Sequence, residues 1–270
     1  PHRSAGGASV DSAGQNTLDL IAAEHKVLML LGVDPALDIN LSVNDKAASQ
    51  ALASNNEFII SLNSFQNDFN QQHADLVLPL ATYLETSGTF VNIEGVWQSF
   101  KGCAPAAGES RQGWKILTAL AQVLLPADDN SYADSTVVRN ELKELCREIQ
   151  LNNLAGVTSS AKKLPALSKS LQRISESALY ATDELVRNAD ALQATKTMKQ
   201  VACLKVNTQQ AEKLGISDAE KVHVKQGEGT AILPMMIDDN VPEGCVWIAS
   251  GFKSVENLTT QFGTVTVEKV

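Results

Sequence analysis

Ala74-Asp75-Leu76-Val77-Leu78-Pro79, continuing through Glu85-Thr86-Ser87-Gly88-Thr89-Phe90-Val91-Asn92-Ile93-Glu94-Gly95, is the stretch whose reading decides the fold. An apolar run stopped by proline reads as a buried strand, and the glycine-flanked run after it as a second strand. In an extended segment Phe90, Asn92 and Glu94 share one face while Thr89, Val91 and Ile93 share the other. Two polar side chains could then point together at a bound group, with Gly88 and Gly95 letting backbone approach it closely. The competing reading is that Asn92 and Glu94 cap a neighbouring helix or face water.

Upstream, Leu18, Ile21, Ala22 and His25 form a helical face behind a capping Asn16. Val27 to Leu31 is a continuous apolar strand that ends at Gly32 and Asp34-Pro35. An alanine-rich helix at Asp45 to Ala53 leads into the strand Phe58 to Leu62, and Ala74 to Leu78 is the third. Buried strands separated by helices predict a parallel sheet covered on both faces, a three-layer α/β domain. Asp34, Asp38 and Asp45 follow the first strand, where open α/β sheets place ligands. No glycine-rich dinucleotide fingerprint or phosphate-loop lysine accompanies them, so nucleotide binding is not supported.

Downstream, Trp114, Leu117, Ala121 and Leu124 give one amphipathic helix closed by Pro126. Asp128 to Ser131 reads as a loop, and Val138, Leu142, Leu145 and Ile149 give a second helix. Leu151 to Leu167 has the composition of a connector. From Lys199 the pattern becomes short strands around one small helix: Val201 to Val206, a helix capped by Asn207 and stopped at Gly215, then a hairpin turning at Gly227-Glu228-Gly229. Cys245 to Ala249 and Thr264 to Val270 complete a small β-barrel. The expected division is 1–126, 127–198 and 199–270.

The 270 residues, 44% of them hydrophobic, carry a formal net charge of −9. That charge argues against a nucleic-acid partner and against an anionic membrane surface. No apolar run approaches the length of a bilayer span. The chain starts at Pro1 without a charged-then-apolar leader, which reads as a fragment or processed piece with no secretory signal. Cys103, Cys146, Cys203 and Cys245 are isolated from one another, a spacing that gives no local metal ligation and fits reduced thiols. His73 and His223 read as solvated or partly covered side chains, Glu85 as a loop charge, and Trp97 and Trp114 as packing anchors. No serine-histidine-aspartate order is visible.

The run Ala74 to Pro79, followed by Gly88-Thr89-Phe90-Val91-Asn92-x-Glu94-Gly95-x-x-Gln98, resembles the molybdopterin oxidoreductase superfamily. Gly113-Trp114-Lys115-Ile116-Leu117, Tyr180-Ala181-Thr182-Asp183-Glu184-Leu185-Val186-Arg187 and Ala191-Leu192-Gln193 look more narrowly like the G subunits of bacterial NADH-quinone oxidoreductase, respiratory complex I. Leu214-Gly215-Ile216, the Gly227 to Gly229 turn and Phe262 to Val267 are similar to the family's C-terminal dinucleotide-binding barrel, of double-psi-like kind. The resemblance implies a non-catalytic C-terminal part of a peripheral-arm subunit on the cytoplasmic side of the inner membrane. Its partners would be other arm subunits, without nucleic acid or direct membrane insertion. Iron–sulfur clusters are implied for an N-terminal region outside this sequence, and no cofactor for the C-terminal part. Gly88, Thr89, Asn92, Glu94 and Gly95 would then outline a vestigial pocket. The family commonly has arginine after the Glu-Gly pair, and Val96 stands there instead, removing a bidentate anion partner. The alternatives are a molybdenum- or tungsten-pterin oxidoreductase domain of formate-dehydrogenase type, and a free-standing small-ligand module.

Overall fold

The computed structural model describes residues 15–39, 45–126, 131–148, 170–258 and 260–270. The first part runs α1 (Thr17–Ala22), β1 (Leu28–Leu31), α2 (Pro35–Asp38), α3 (Asp45–Ser54), β2 (Ile59–Asn63), α4 (Asp68–His73) and β3 (Leu76–Pro79). A hairpin follows, β4 (Gly88–Val91) and β5 (Trp97–Phe100), then α5 (Gly113–Leu124) and α6 (Ser135–Leu145). The last part is β6 (Gln172–Ile174), three short helices α7 (Glu184–Arg187), α8 (Asp190–Gln193) and α9 (Lys196–Val201), then β7 (Leu204–Val206) and α10 (Thr208–Leu214). It closes with β8 (Lys221–Gln226), β9 (Gly229–Ile237), β10 (Cys245–Ile248), β11 (Gly263–Thr264) and β12 (Thr266–Lys269).

The fold is mixed α/β with a parallel sheet and a near-closed C-terminal barrel. In the first sheet, ordered β1-β2-β3, Leu28 pairs with Ile59 and Ile60 with Leu76. Asp75, early in the deciding motif, is structural: its Oδ2 accepts from the Ile59 N–H at 2.8 Å and fixes the start of β2. Leu28 and Ile59 point to one face, where they are buried with Ile21, Leu52 and Phe69 from α1, α3 and α4. The opposite face carries Met29, Leu31 and Leu76, which are 40%, 48% and 37% exposed. The start of α5 approaches it, with Gly113 beside Leu31 and Leu80, and Leu62 is fully buried there. The expected cover on both faces is therefore incomplete among the described residues.

The second sheet is ordered β11-β6-β10-β7-β9-β8-β12. Its two terminal strands are consecutive in the chain, separated only by Val265, so the sheet must curl until its ends meet. Alternation drives this: Val222 and Val224 are fully buried while Lys221 and Lys225 are exposed. With Leu204, Val206, Leu233, Met235, Val246 and Ile248 they form one apolar core. At Gly229 an added Cβ would lie 1.8 Å from the Asn257 carbonyl oxygen, so the turn into β9 excludes any side chain.

Three expectations need correction. The strand read from Val201 is helix α9 to that residue, capped by Thr195, and β7 starts only at Leu204. β6 falls in the stretch expected as connector, yet it pairs with β10 and β11 inside the barrel sheet. Asn92 to Gly95 is a turn, not a continuation of β4. The loop read at 128–130, the connector at 151–167 and the helix end at Ile149 lie outside the described residues.

Candidate functional site

β1 and β2 end side by side, with the Gly32 N–H donating to the Leu62 carbonyl at 2.8 Å. Beyond β1, Asp34 caps α2 by accepting from the Ala36 N–H, and its own N–H donates to Asp38 Oδ2 at 2.7 Å. Beyond β2, the Asn63 amide reaches the Val33 carbonyl and Asn67 opens α4 with a reciprocal capping box. The Tyr180 to Arg187 segment, more than a hundred residues later in the chain, lands on this edge. Arg187 Nη1 lies 2.8 Å from Asp38 Oδ1 and also donates to the Ala181 carbonyl. Asn67 Nδ2 donates to Glu184 Oε1 at 3.3 Å, and Lys253 meets Asp68 at 2.5 Å.

Burial governs the electrostatics here. Loss of water pushes the Glu184 carboxyl up to about 7; Asp34 and Asp38 nearby add to the rise, while the Asn67 bond and Arg187 oppose it. Asp34 is also raised, first by burial, against the pull of the Ala36 N–H and Arg187. The edge thus gathers Asp34, Asp38, Asp68 and Glu184 with two cations, each already paired to a carboxylate. A phosphate-bearing ligand would meet mostly like charge.

The β4–β5 hairpin builds a different kind of site. Asn92 Oδ1 accepts from the Glu94 and Val96 N–H groups at 3.0 and 2.9 Å, so this side chain closes the hairpin turn. Gly95 has φ +78°, a left-handed conformation suited to glycine, and Ile93 at the tip is 96% exposed. Asn92, Glu94 and Gly95 therefore sit at a protruding tip and not on a strand wall. Gly88 and Thr89, at the hairpin's base, line a cleft of about 660 Å³. Its other walls are Ser99 and Phe100 from β5 with Lys101 just beyond, the first turn of α5, and Ala133 to Thr136 with Arg139 at the start of α6. Glu85 holds this wall in place. It accepts from Thr82 and from the Ala107 N–H, while its carbonyl receives the Gln112 amide. The other end of that amide accepts from the Trp114 indole at 2.8 Å.

Residues 5–123 match the family model described as molybdopterin oxidoreductase, and residues 174–268 match the molydopterin dinucleotide binding domain. The chain carries domains of the molybdopterin oxidoreductase family. The G 2 subunit of NADH-quinone oxidoreductase from Rhizobium meliloti is 26% identical over 85% of this chain and 28% of its own length. The mitochondrial NADH-ubiquinone oxidoreductase 78 kDa subunit of Candida albicans is 30% identical over 47% of this chain and 16% of its own. The assimilatory nitrate reductase catalytic subunit of Bacillus subtilis is 31% identical over 45% and 16%. Among solved structures, acetylene hydratase from Pelobacter acetylenicus shares the fold, with a TM-score of 0.67 at 15% identity, over 94% of this chain and 46% of that one. The chain thus spans less than half the length of each of these relatives.

Within these molybdopterin-oxidoreductase-type domains, the sequence motifs mark packing devices more than chemistry. Asp75 anchors β2, Glu85 staples a loop, and Asn92 closes a turn. His73 ends α4 with its ring tilted against Phe69, and His223 is half-buried on β8. Asp34 and Asp38 occupy the expected ligand edge, whereas Asp45 opens α3. The four cysteines form no disulfide, and no metal-holding group of histidine, cysteine, aspartate and glutamate occurs among the described residues. Among those residues no helix is long and apolar enough to cross a membrane. Sequence reasoning missed Arg173, almost fully buried in the barrel and held by Gln226 and by the Thr260 and Ile248 carbonyls. It also missed Lys101, Lys115 and Arg139 in the cleft; their one signal was basic side chains flanking motifs in an acidic chain.

Proposed function

We propose that this chain is the C-terminal, non-catalytic part of a G subunit of an NADH-quinone oxidoreductase, a peripheral-arm scaffold for electron transfer from NADH to quinone. The observation that carries the reading is the likeness to the Rhizobium meliloti G 2 subunit, which runs through 85% of the chain, across both domains. The part-open face of the first sheet supports it: Leu62 is covered there, but Met29, Leu31 and Leu76 offer neighbouring arm protein an apolar surface to cover. The carboxyl edge supports it as well. Its four carboxylates have both neighbouring cations already paired, an arrangement that disfavours a phosphate-bearing ligand at this edge. In this proposal the iron–sulfur clusters belong to the N-terminal region of the whole subunit, and the C-terminal part works at the cytoplasmic side of the membrane by holding neighbours in place.

The likeness to a nitrate reductase catalytic subunit favours a second reading, a pterin-dependent oxidoreductase domain. One measurement separates the two. Elemental analysis of the purified full-length protein is expected to find iron without stoichiometric molybdenum or tungsten; either metal at one per chain overturns the scaffold reading.

A further inference from the structure

We propose that the cleft between the β4–β5 hairpin and the first turns of α5 and α6 binds a small phosphorylated organic molecule, held by Lys101, Lys115 and Arg139. This is independent of the scaffold reading, since it concerns a different surface from the sheet's carboxyl edge.

Charge carries the first part of the argument. The chain has nine more acidic than basic side chains, yet this cleft is lined by three cations and a single acid. That acid, Asp134, is already committed. Its Oδ1 accepts from the Thr136 and Val137 N–H groups at 2.7 and 3.1 Å, and those bonds hold its carboxyl below the usual range. Among the described residues no carboxylate lies within ion-pair distance of Lys101, Lys115 or Arg139. Lys101 just beyond β5, Lys115 on α5 and Arg139 on α6 outnumber the cleft's one carboxylate, Asp134, which also interacts with Arg139, and this surplus of positive charge around one concavity suits a multivalent anion better than a single carboxylate.

The cleft's remaining features point the same way. Two helices of 12 and 11 residues begin at it; the Asp134 carboxylate already caps α6, while α5 presents the positive end of its dipole to the cleft. No side chain caps α5, because the Gln112 amide is engaged with Glu85 and Trp114. Arg139 Nη1 donates to Ser99 Oγ at 3.0 Å, and Ser99 Oγ is 3.0 Å from Thr89 Oγ1, which places a hydroxyl pair beside the guanidinium. Phe100, stacked on Phe90, and Trp114 supply apolar walls for an organic moiety. The volume suits a small molecule.

The test is calorimetric titration of the 270-residue chain at low ionic strength with two probes, inorganic pyrophosphate and ADP. Both are expected to bind saturably, with ADP tighter because the aromatic walls take the organic part. Arg139→Gln and Lys101→Gln should each weaken binding by about tenfold, whereas Lys225→Gln, on exposed β8, should leave it unchanged. Lys101 makes no hydrogen bond or ion pair among the described residues, so Lys101→Gln reads out binding even if Arg139→Gln disturbs the fold. The proposal is overturned if the wild-type chain shows no saturable binding, or if Lys225→Gln weakens binding as much as the cleft variants. Pyrophosphate binding with ADP no tighter overturns the assignment of an organic ligand.

Discussion

The barrel and the three-stranded sheet are built from similar kinds of apolar sequence but dispose of it differently. In the barrel, alternate residues of β8, β9 and β10 point inward and the two sheet ends meet, so nearly every large apolar side chain of the core is covered by the barrel itself. The parallel sheet buries Leu28, Ile59 and Leu62 but leaves Met29, Leu31 and Leu76 open, with β1 and β3 as its edges. The barrel core is closed by its own strands, whereas the parallel sheet has one face part-open among the described residues. Continuous apolar strands signal burial on both faces, and the second cover need not come from the same stretch of chain.

The sharpest way to break this contrast is a pair of truncations. Leu204→Ala, at a fully buried barrel position, should cost about 2–5 kcal/mol of unfolding free energy. Leu31→Ala, half open to water, should cost less than about 1 kcal/mol. Urea denaturation measures both, and equal losses would remove the distinction. Next in size is Gly229→Ala, where the new methyl has to displace the Asn257 carbonyl; a loss of about 1–3 kcal/mol is expected in the same assay.

A third prediction sharpens how the two domains hold together. The folded Glu184 carboxyl has its pKa raised from 4.5 to about 7, so the folded protein binds this proton more tightly than the unfolded chain. Its contribution is fully present below about pH 4.5 and is lost as pH rises through about 7. Discounted for solvent screening at this partly open site, the change is about 1 kcal/mol. Thermal melts from pH 5 to 8 should show the wild type losing stability relative to Glu184→Gln; parallel profiles would remove Glu184 from the interdomain contact. The smallest effect concerns the hairpin. Asn92→Ala removes two exposed turn bonds and should cost about 0.5–1 kcal/mol by denaturation. Under the proposed scaffold role, an assembled complex carrying this variant should keep its electron transfer, and loss of that transfer would contradict a purely turn-closing role.

Much of the fold was legible because local chemistry acts over a few residues. Asn16, Asn207 and Gly215 cap the helices expected of them, and the Gly227 to Gly229 turn joins the hairpin that the valine alternation announces. The site was less legible. Asn92 and Glu94 have the spacing of a strand face, but the Asn92 side chain competes for its own backbone and turns the chain, a choice that strand periodicity does not register.

By itself, the sequence determined the periodicities, the caps, the acidic balance and the motifs that mark the molybdopterin-oxidoreductase domains, all properties of residues close together along the chain. Only the tertiary structure decided that Arg187 meets Asp38, that Glu184 sits beside Asn67, and that Lys101, Lys115 and Arg139 surround one cleft. Those pairings join residues tens to more than a hundred positions apart. Their energies depend on burial and on neighbouring charge, which exist only once the chain has closed upon itself.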